Sequence, residues 1–418
     1  MKIKFFTIII ILSIVINAYE NEPDSRKLSS PFDVTVIGYI LYPDGLGRLP
    51  IGFIENFQNK LKINFIDTKN FSLNMSFGKI TDKVIKIVND KDKRPGKVGL
   101  LFDGLWNNII PKLPNTTIKI AYSMFESTQI PQEWVNNLNN YFDSVVVPAP
   151  FLVEVYKNSG VNIPIFYLPI GMYLEEFLNS PIKIKQNIPF VFGTSAAYHP
   201  FKNQELLLNS FISKFANNAN FKLRIHAKGE TENSNLRKII KTNNIHNVEI
   251  ISKFLSPSEY IDFLKSLDCY VLVSRGEGFS LTPREALAMG IPCILSNNTA
   301  HKVLCQTSYV KAVNSNIKQL ADYSFIFGKI YGYNFDTDQK DLEDALMDVY
   351  LNYNKYLRAA HQGREWVKQY LYKNLANKYV NLIKPKKIIL GNKNIITDNG
   401  LMTNSKKLYD KYVLILEQ

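Results

Sequence analysis

Apolar residues fall in short continuous runs separated by longer stretches of mixed polarity. The first run, Asp33 to Ile40 (DVTVIGYI), has strand length and leads into Tyr42-Pro-Asp-Gly-Leu-Gly-Arg48. Leu49 to Asn59 then carries apolar residues at helical spacing, so the first unit reads as strand, glycine loop and helix. Further runs predict strands at Val98 to Phe102, Ile118 to Ser123, Ser144 to Val147 and Ile165 to Leu168. Helices are predicted at Gln132 to Tyr141 and Pro150 to Asn158. Strands that are apolar throughout, alternating with helices, indicate a parallel sheet covered on both faces.

The pattern breaks at Leu178 to Pro189 (LNSPIKIKQNIP), a polar stretch that reads as a linker between a first domain, residues 31–177, and a second, residues 190–383. The second series predicts strands at Phe190 to Gly193, Lys222 to Ala227, Val248 to Ser252, Cys269 to Val273 and Cys293 to Leu295. Helices fall at Asn203 to Phe215, Leu236 to Lys241, Ser256 to Ser266 and Pro283 to Met289, with one long helix from Gln339 to Tyr370. The fold class is therefore α/β, two tandem Rossmann-like doubly wound domains. A ligand is expected in the interdomain cleft, at the carboxyl ends of the strands.

Composition adds bounds. A chain of 418 residues exceeds one ordinary core, and an apolar share of 46% excludes a mainly disordered protein. The formal charge of +13 suits an acidic surface or a phosphorylated substrate, but the basic residues are dispersed and no nucleic-acid-binding module is visible. Part of the excess lies in the tail at residues 384–418. Cys269, Cys293 and Cys305 have no zinc-like spacing and read as buried hydrophobes. Lys2 and Lys4 precede the apolar run Phe5 to Ile16, then Asn17-Ala18, so residues 1–20 read as a signal peptide or membrane anchor. That order predicts the secretory pathway, the periplasm or a membrane surface, with the cytoplasm as the alternative. Membrane association would run through residues 5–16 and the basic tail.

The segment richest in chemistry is Ser274-Arg-Gly-Glu-Gly-Phe-Ser-Leu-Thr-Pro-Arg-Glu-Ala-Leu-Ala-Met-Gly290. It follows a strand and opens a helix, with Thr282 as the expected N-cap, Pro283 at the first helical position and Glu285 completing a capping box. A helix start of this kind attracts phosphate oxygens, and the glycine before it lets the backbone approach a ligand. Glu277, between two glycines at a strand's end, is poorly placed for a merely solvated charge.

These residues resemble the E-x7-E region of retaining GT-B glycosyltransferases, in particular glycosyltransferase family 4, with Glu277 and Glu285 at the required spacing. Gly278, Phe279, Pro283, Ala286, Ala288, Gly290 and Pro292 also match. The resemblance implies a metal-independent hexosyltransferase whose donor is a nucleotide-diphosphate sugar and whose acceptor is a glycan, lipid or protein. It places Glu277 near the reacting sugar carbon. The amides of Gly278, Phe279, Ser280 and Leu281 fall on the sugar and diphosphate, and Glu285 on the ribose hydroxyls. Lys202, before the helix that starts at Asn203, matches the family's phosphate-binding lysine. Gly45 and Gly47 match its N-terminal glycine loop.

Two family features are missing. Ala196, Ala197, Tyr198 and His199 stand where an arginine is usual, leaving His199 or Arg275 as substitutes. All five histidines lie beyond residue 190, so none from the first domain meets the sugar; Glu126 is the nearest polar candidate, as acceptor ligand or base. These gaps keep a catalytically inactive sugar- or nucleotide-binding protein as the alternative.

Overall fold

A computed structural model describes residues 30–384 apart from 77–79, 229–233 and 325–327, with three short strands beyond, at Ile388–Leu390, Ile395–Thr397 and Met402–Thr403. The leader and most of the basic tail lie outside the described residues. No described helix is long and apolar enough to cross a membrane.

The first six strands are β1 (Val34–Gly38), β2 (Ile63–Asp67), β3 (Val98–Phe102), β4 (Ile118–Tyr122), β5 (Ser144–Val147) and β6 (Ile165–Tyr167). They form one parallel sheet in the order β2-β1-β3-β4-β5-β6. The second sheet, also parallel, holds β7 (Phe190–Ala197), β8 (Phe221–Lys228), β9 (Val248–Ile251), β10 (Cys269–Leu272), β11 (Cys293–Ser296) and β12 (Lys311–Val313). Its order is β12-β11-β10-β7-β8-β9. Every residue of β1, β3, β5, β10 and β11 is buried, as helices on both faces require. Strand order turns at β1, between β2 and β3, and at β7, between β8 and β10; loops diverge at such points and leave a crevice.

Several elements depart from the sequence expectation. β2 and the helix Asp82–Val88 went unforeseen; within β2 the polar Asn64 interrupts the apolar run and Asp67 ends it. β7 runs to Ala197, four residues past its expected end, so Ala196 and Ala197 pair with β8 instead of forming a loop. The long helix divides into Gln339–Leu351 and Tyr353–Trp366, joined at Asn352, and ends in a 3-10 turn at Val367–Tyr370.

An antiparallel hairpin, β13 (Ile317–Asp322) and β14 (Ile330–Asp336), reaches from the second domain to the first. Ser127 Oγ donates to the Tyr331 carbonyl at 2.6 Å, and the Tyr323 ring lies 4.9 Å from Phe125. The last helix, Tyr372–Ile383, corrects the expected division at residue 383, since it packs on the first domain. There the Tyr379 ring stacks on Phe57 at 5.3 Å, and its hydroxyl accepts from Gly171 N and donates to the Pro169 carbonyl, both at 3.1 Å.

Tyr379 is 2% exposed, so Tyr379→Ala should cost about 3–5 kcal/mol through lost packing. Tyr379→Phe, which gives up only the hydroxyl, should cost about 1 kcal/mol. Chemical denaturation of the two variants checks both size and order; equal losses would place the contribution in the hydroxyl instead of the ring.

Candidate active site

The carboxyl ends of the two sheets face each other across a cleft of about 790 Å³ lined by both domains. Glu277 sits on its floor, in the loop after β10, and is 5% exposed. Lys202 closes the 3-10 turn Pro200–Lys202 after β7 and puts Nζ 2.7 Å from Glu277 Oε1. Ser274 Oγ donates to the same oxygen at 2.7 Å, and the Glu277 amide donates to Thr299 Oγ1 at 2.9 Å. Burial pushes the Glu277 carboxyl up, but Lys202, His301 and the bonds from Lys202 and Ser274 outweigh it and hold the acid below its ordinary value. Burial opposes charge on Lys202 as well, and Glu277 more than restores it. The pair is ionised, as a buried pair with satisfied oxygens can be.

The glycines flanking Glu277 admit the first domain. A Cβ on Gly276 would lie 1.9 Å from the Glu126 carbonyl oxygen, and one on Gly278 would lie 3.1 Å from Met124 Cβ. The close approach expected of a ligand is thus taken by the loop after β4. That loop delivers Glu126 to the cleft, where Tyr323 of the hairpin donates to Oε2 at 3.2 Å. Burial raises the Glu126 carboxyl above its ordinary value; Lys202 opposes the shift and Glu277 adds to it.

The helix expected from Pro283 begins earlier, at Leu281, and the capping box does not form. Thr282 Oγ1 instead accepts from the Tyr270 hydroxyl at 2.6 Å. Ser280 occupies the N-cap in the left-handed region, φ 70°, and its hydroxyl meets His301 Nε2 at 2.8 Å. Arg284, 1% exposed, lies beneath this turn with its guanidinium 4.0 Å from the Phe279 ring centre. Arg284 donates to the carbonyls of Phe279 at 2.6 Å and Ser280 at 2.7 Å, and among the described residues no ion pair includes it. Because trans peptides point N–H opposite to C=O, these bonds turn the amides of Ser280 and Leu281 away from Arg284.

Glu285, one turn into the helix, is freed from capping and bridges the domains. Its Oε1 accepts from Arg48 Nη1 at 3.1 Å, and its Oε2 from the Tyr260 hydroxyl at 2.8 Å. Arg48 follows the glycine loop and opens the helix Arg48–Phe57. Asp44 closes that loop by accepting from the amides of Leu46 and Gly47 at 3.0 and 2.9 Å. Gly45 lines the cleft beside Leu281, whereas a Cβ on Gly47 would strike the Leu41 carbonyl at 2.7 Å, so Gly47 serves the turn and not the ligand surface.

Residues 189–323 match the family model described as glycosyl transferases group 1. An uncharacterized glycosyltransferase of Methanocaldococcus jannaschii is 26% identical over 322 residues, 75% of this chain and 70% of that protein. Among solved structures, sucrose-phosphate synthase of Thermosynechococcus elongatus matches at a TM-score of 0.60 and 13% identity, over 84% of this chain and 97% of that one. Anabaena HepE in complex with UDP-glucose matches at 0.61 and 10% identity, over 84% and 99%. The chain is a glycosyltransferase with the GT-B fold.

In this glycosyltransferase neither substitute for the missing arginine is available. Arg275 is tied to Asp336 Oδ2 at 2.8 Å and to the Pro200 carbonyl at 3.0 Å. His199 accepts the Phe201 amide on Nδ1 at 3.2 Å, and burial, with Lys202, lowers its imidazole to about 4. Arg48, Tyr260 and Tyr323 escaped the sequence reading. Arg48 carried the signal used for Lys202, a cation at a helix start, where it is disfavoured without an anion; Tyr260 and Tyr323 carried none. No three His, Cys, Asp or Glu side chains converge as a metal site among the described residues.

Two outcomes follow from this geometry. Gly276→Ala sets a Cβ against the Glu126 backbone, so the domains must part there; a loss of about 1–3 kcal/mol is expected. A melting temperature equal to wild type would contradict that contact. Burial also lowers the His301 imidazole to about 4 from an ordinary 6.5. The folded state therefore binds fewer protons than the unfolded one between those values, and the stability present above 6.5 is lost as pH falls through 4. His301→Asn should flatten the decline of melting temperature between pH 7 and pH 4; an unchanged slope would remove His301 as its source.

Proposed function

We propose that this glycosyltransferase transfers a hexose from a nucleotide-diphosphate sugar to a hydroxyl of a glycan, lipid or protein acceptor, with retention of configuration and without a metal. The observation that carries the reading is the Lys202–Glu277 pair, 2.7 Å apart at the point where β7 and β10 open into the cleft. It supplies both charges the reaction needs beside a helix start whose amides suit phosphate oxygens. The fold neighbour HepE was solved with UDP-glucose, which supports a donor of this class.

In this reading the diphosphate lies between Lys202 and the amides of residues 278–281, and Glu285 receives the ribose hydroxyls. Lys202 and the amides neutralise the leaving diphosphate as its bond to the anomeric carbon breaks, the task a metal performs elsewhere. Glu277 holds the sugar at the reacting carbon. The acceptor hydroxyl bonds to that carbon and yields its proton to Glu126, whose raised pKa suits a base. Domain closure excludes water, which would otherwise compete as acceptor. Attachment to a membrane through residues 5–16 and the basic tail belongs to the same proposal.

Glu277→Gln and Lys202→Ala should each reduce turnover of the accepted nucleotide sugar by about 10²-fold or more. The measurement is release of nucleoside diphosphate across a panel of donors and acceptors, with the anomeric configuration of the first product read by NMR. Wild-type turnover in both variants would overturn the assignment. Nucleoside diphosphate binding with no turnover in the wild type would favour a sugar- or nucleotide-binding protein, the reading that the missing arginine supports.

A further inference from the structure

Both carboxylates of the Glu277 and Glu285 pair are held by a cation, one from each domain. Lys202 of the second domain binds Glu277 at 2.7 Å, and Arg48 of the first binds Glu285 at 3.1 Å. A leaving diphosphate carries more charge than Lys202 alone can neutralise. Within the second domain the alternatives are spoken for: Arg275 pairs with Asp336, and the His199 imidazole is lowered to about 4. Arg284 is buried behind the loop, bound to two carbonyls.

We propose that Arg48 is the second phosphate ligand of the donor, reaching across the cleft from the first domain and exchanging its bond to Glu285 for diphosphate oxygens. The inference rests on the donor reading above. Among the described residues four cations line the cleft: Arg48, Lys69, Lys112 and Lys202. Lys69 stands 3.6 Å from Asp103 with Nζ over the Tyr39 ring, and Lys112 donates to the Thr68 carbonyl, so both belong to the outer part of the first domain. Arg48 instead adjoins the helix start. A Cβ on Gly45 of its loop would lie 3.6 Å from Cδ1 of Leu281, the first residue of that helix, and Glu285 lies one turn on.

The exchange has a physical driving force. Ribose hydroxyls arriving at Glu285 compete for Oε1, the oxygen Arg48 uses, while Tyr260 keeps Oε2. A guanidinium released there presents a planar fork that matches phosphate oxygens. Its Nε bond to the Tyr42 carbonyl at 2.7 Å and its Cζ 4.8 Å from the Tyr42 ring centre hold the same rigid guanidinium plane, which has to turn as a unit for Nη1 to leave Glu285. The cation also stands in the first turn of its own helix, a position that favours an anionic partner.

The test compares wild type, Arg48→Ala and Arg48→Lys by isothermal calorimetry. The probes are whichever of UDP, GDP, ADP and dTDP wild type binds, and the matching nucleoside. Arg48→Ala should weaken the diphosphate by about 10-fold or more while changing the nucleoside by less than about 3-fold. Arg48→Lys should recover part of the loss, since it keeps the charge without the fork. Wild-type affinity for the diphosphate in Arg48→Ala would overturn the proposal. So would equal losses for diphosphate and nucleoside, which would make Arg48 a support for Glu285 only. A wild type that binds none of the four diphosphates would overturn the donor reading itself, and this proposal with it.

Discussion

A carboxylate on the floor of a cleft needs a counter-charge, and Lys202 against Glu277 is the contact around which the rest is arranged. The cost of burying either group alone would be several kcal/mol. Setting Nζ 2.7 Å from Oε1 requires the loop after β7 and the loop after β10 to end at one level, which the β7–β10 pairing fixes. Ser274 and Thr299 then complete the coordination of Glu277 from the loop after β10 and from the turn after β11. Sheet order thus becomes charge placement.

The same requirement extends to the first domain. Glu126 presses its backbone on Gly276, and burial raises its carboxyl above the ordinary value, disfavouring its charge. Arg48 holds Glu285 from the opposite lip of the cleft. Glu285 and Glu126 are thus each bonded from the opposite domain, by Arg48 and by Tyr323, so chemistry and domain apposition are one arrangement.

Most strands of both sheets, and the placing of Glu277, Glu285 and Lys202 beyond the strand ends that line the cleft, were legible in sequence, because buried parallel strands are apolar throughout and a Glu between glycines at a strand end has few structural explanations. Glu285 was legible as a residue but not in its structural role: three residues after a Thr it looked like a cap, and only its contacts with Arg48 and Tyr260, distant in sequence, show otherwise. Short elements failed for a simpler reason. In Ile63–Asp67 the buried Asn64, which donates to the Arg94 carbonyl at 2.6 Å, interrupts the apolar run, and β13 and β14 carry exposed apolar side chains at Ile317, Leu320 and Ile330, which blurs alternation. The extension of β7 through Ala197 depended on pairing with β8, a long-range fact that no local pattern records.

The return of the last helix, Tyr372–Ile383, to the first domain has a mechanical consequence. The chain passes between the domains twice, near residues 178–189 and again at 367–371, and the second crossing is pinned beside the first domain's end by the bridge between Met172 and Leu371 and the bond from Met172 N to the Tyr370 carbonyl at 2.7 Å. Two adjacent tethers leave one easy rotation, about the line through them, and resist twist and lateral slip. Movement of the second domain about that line would bring the lips that carry Arg48 and Glu285 together in one alignment.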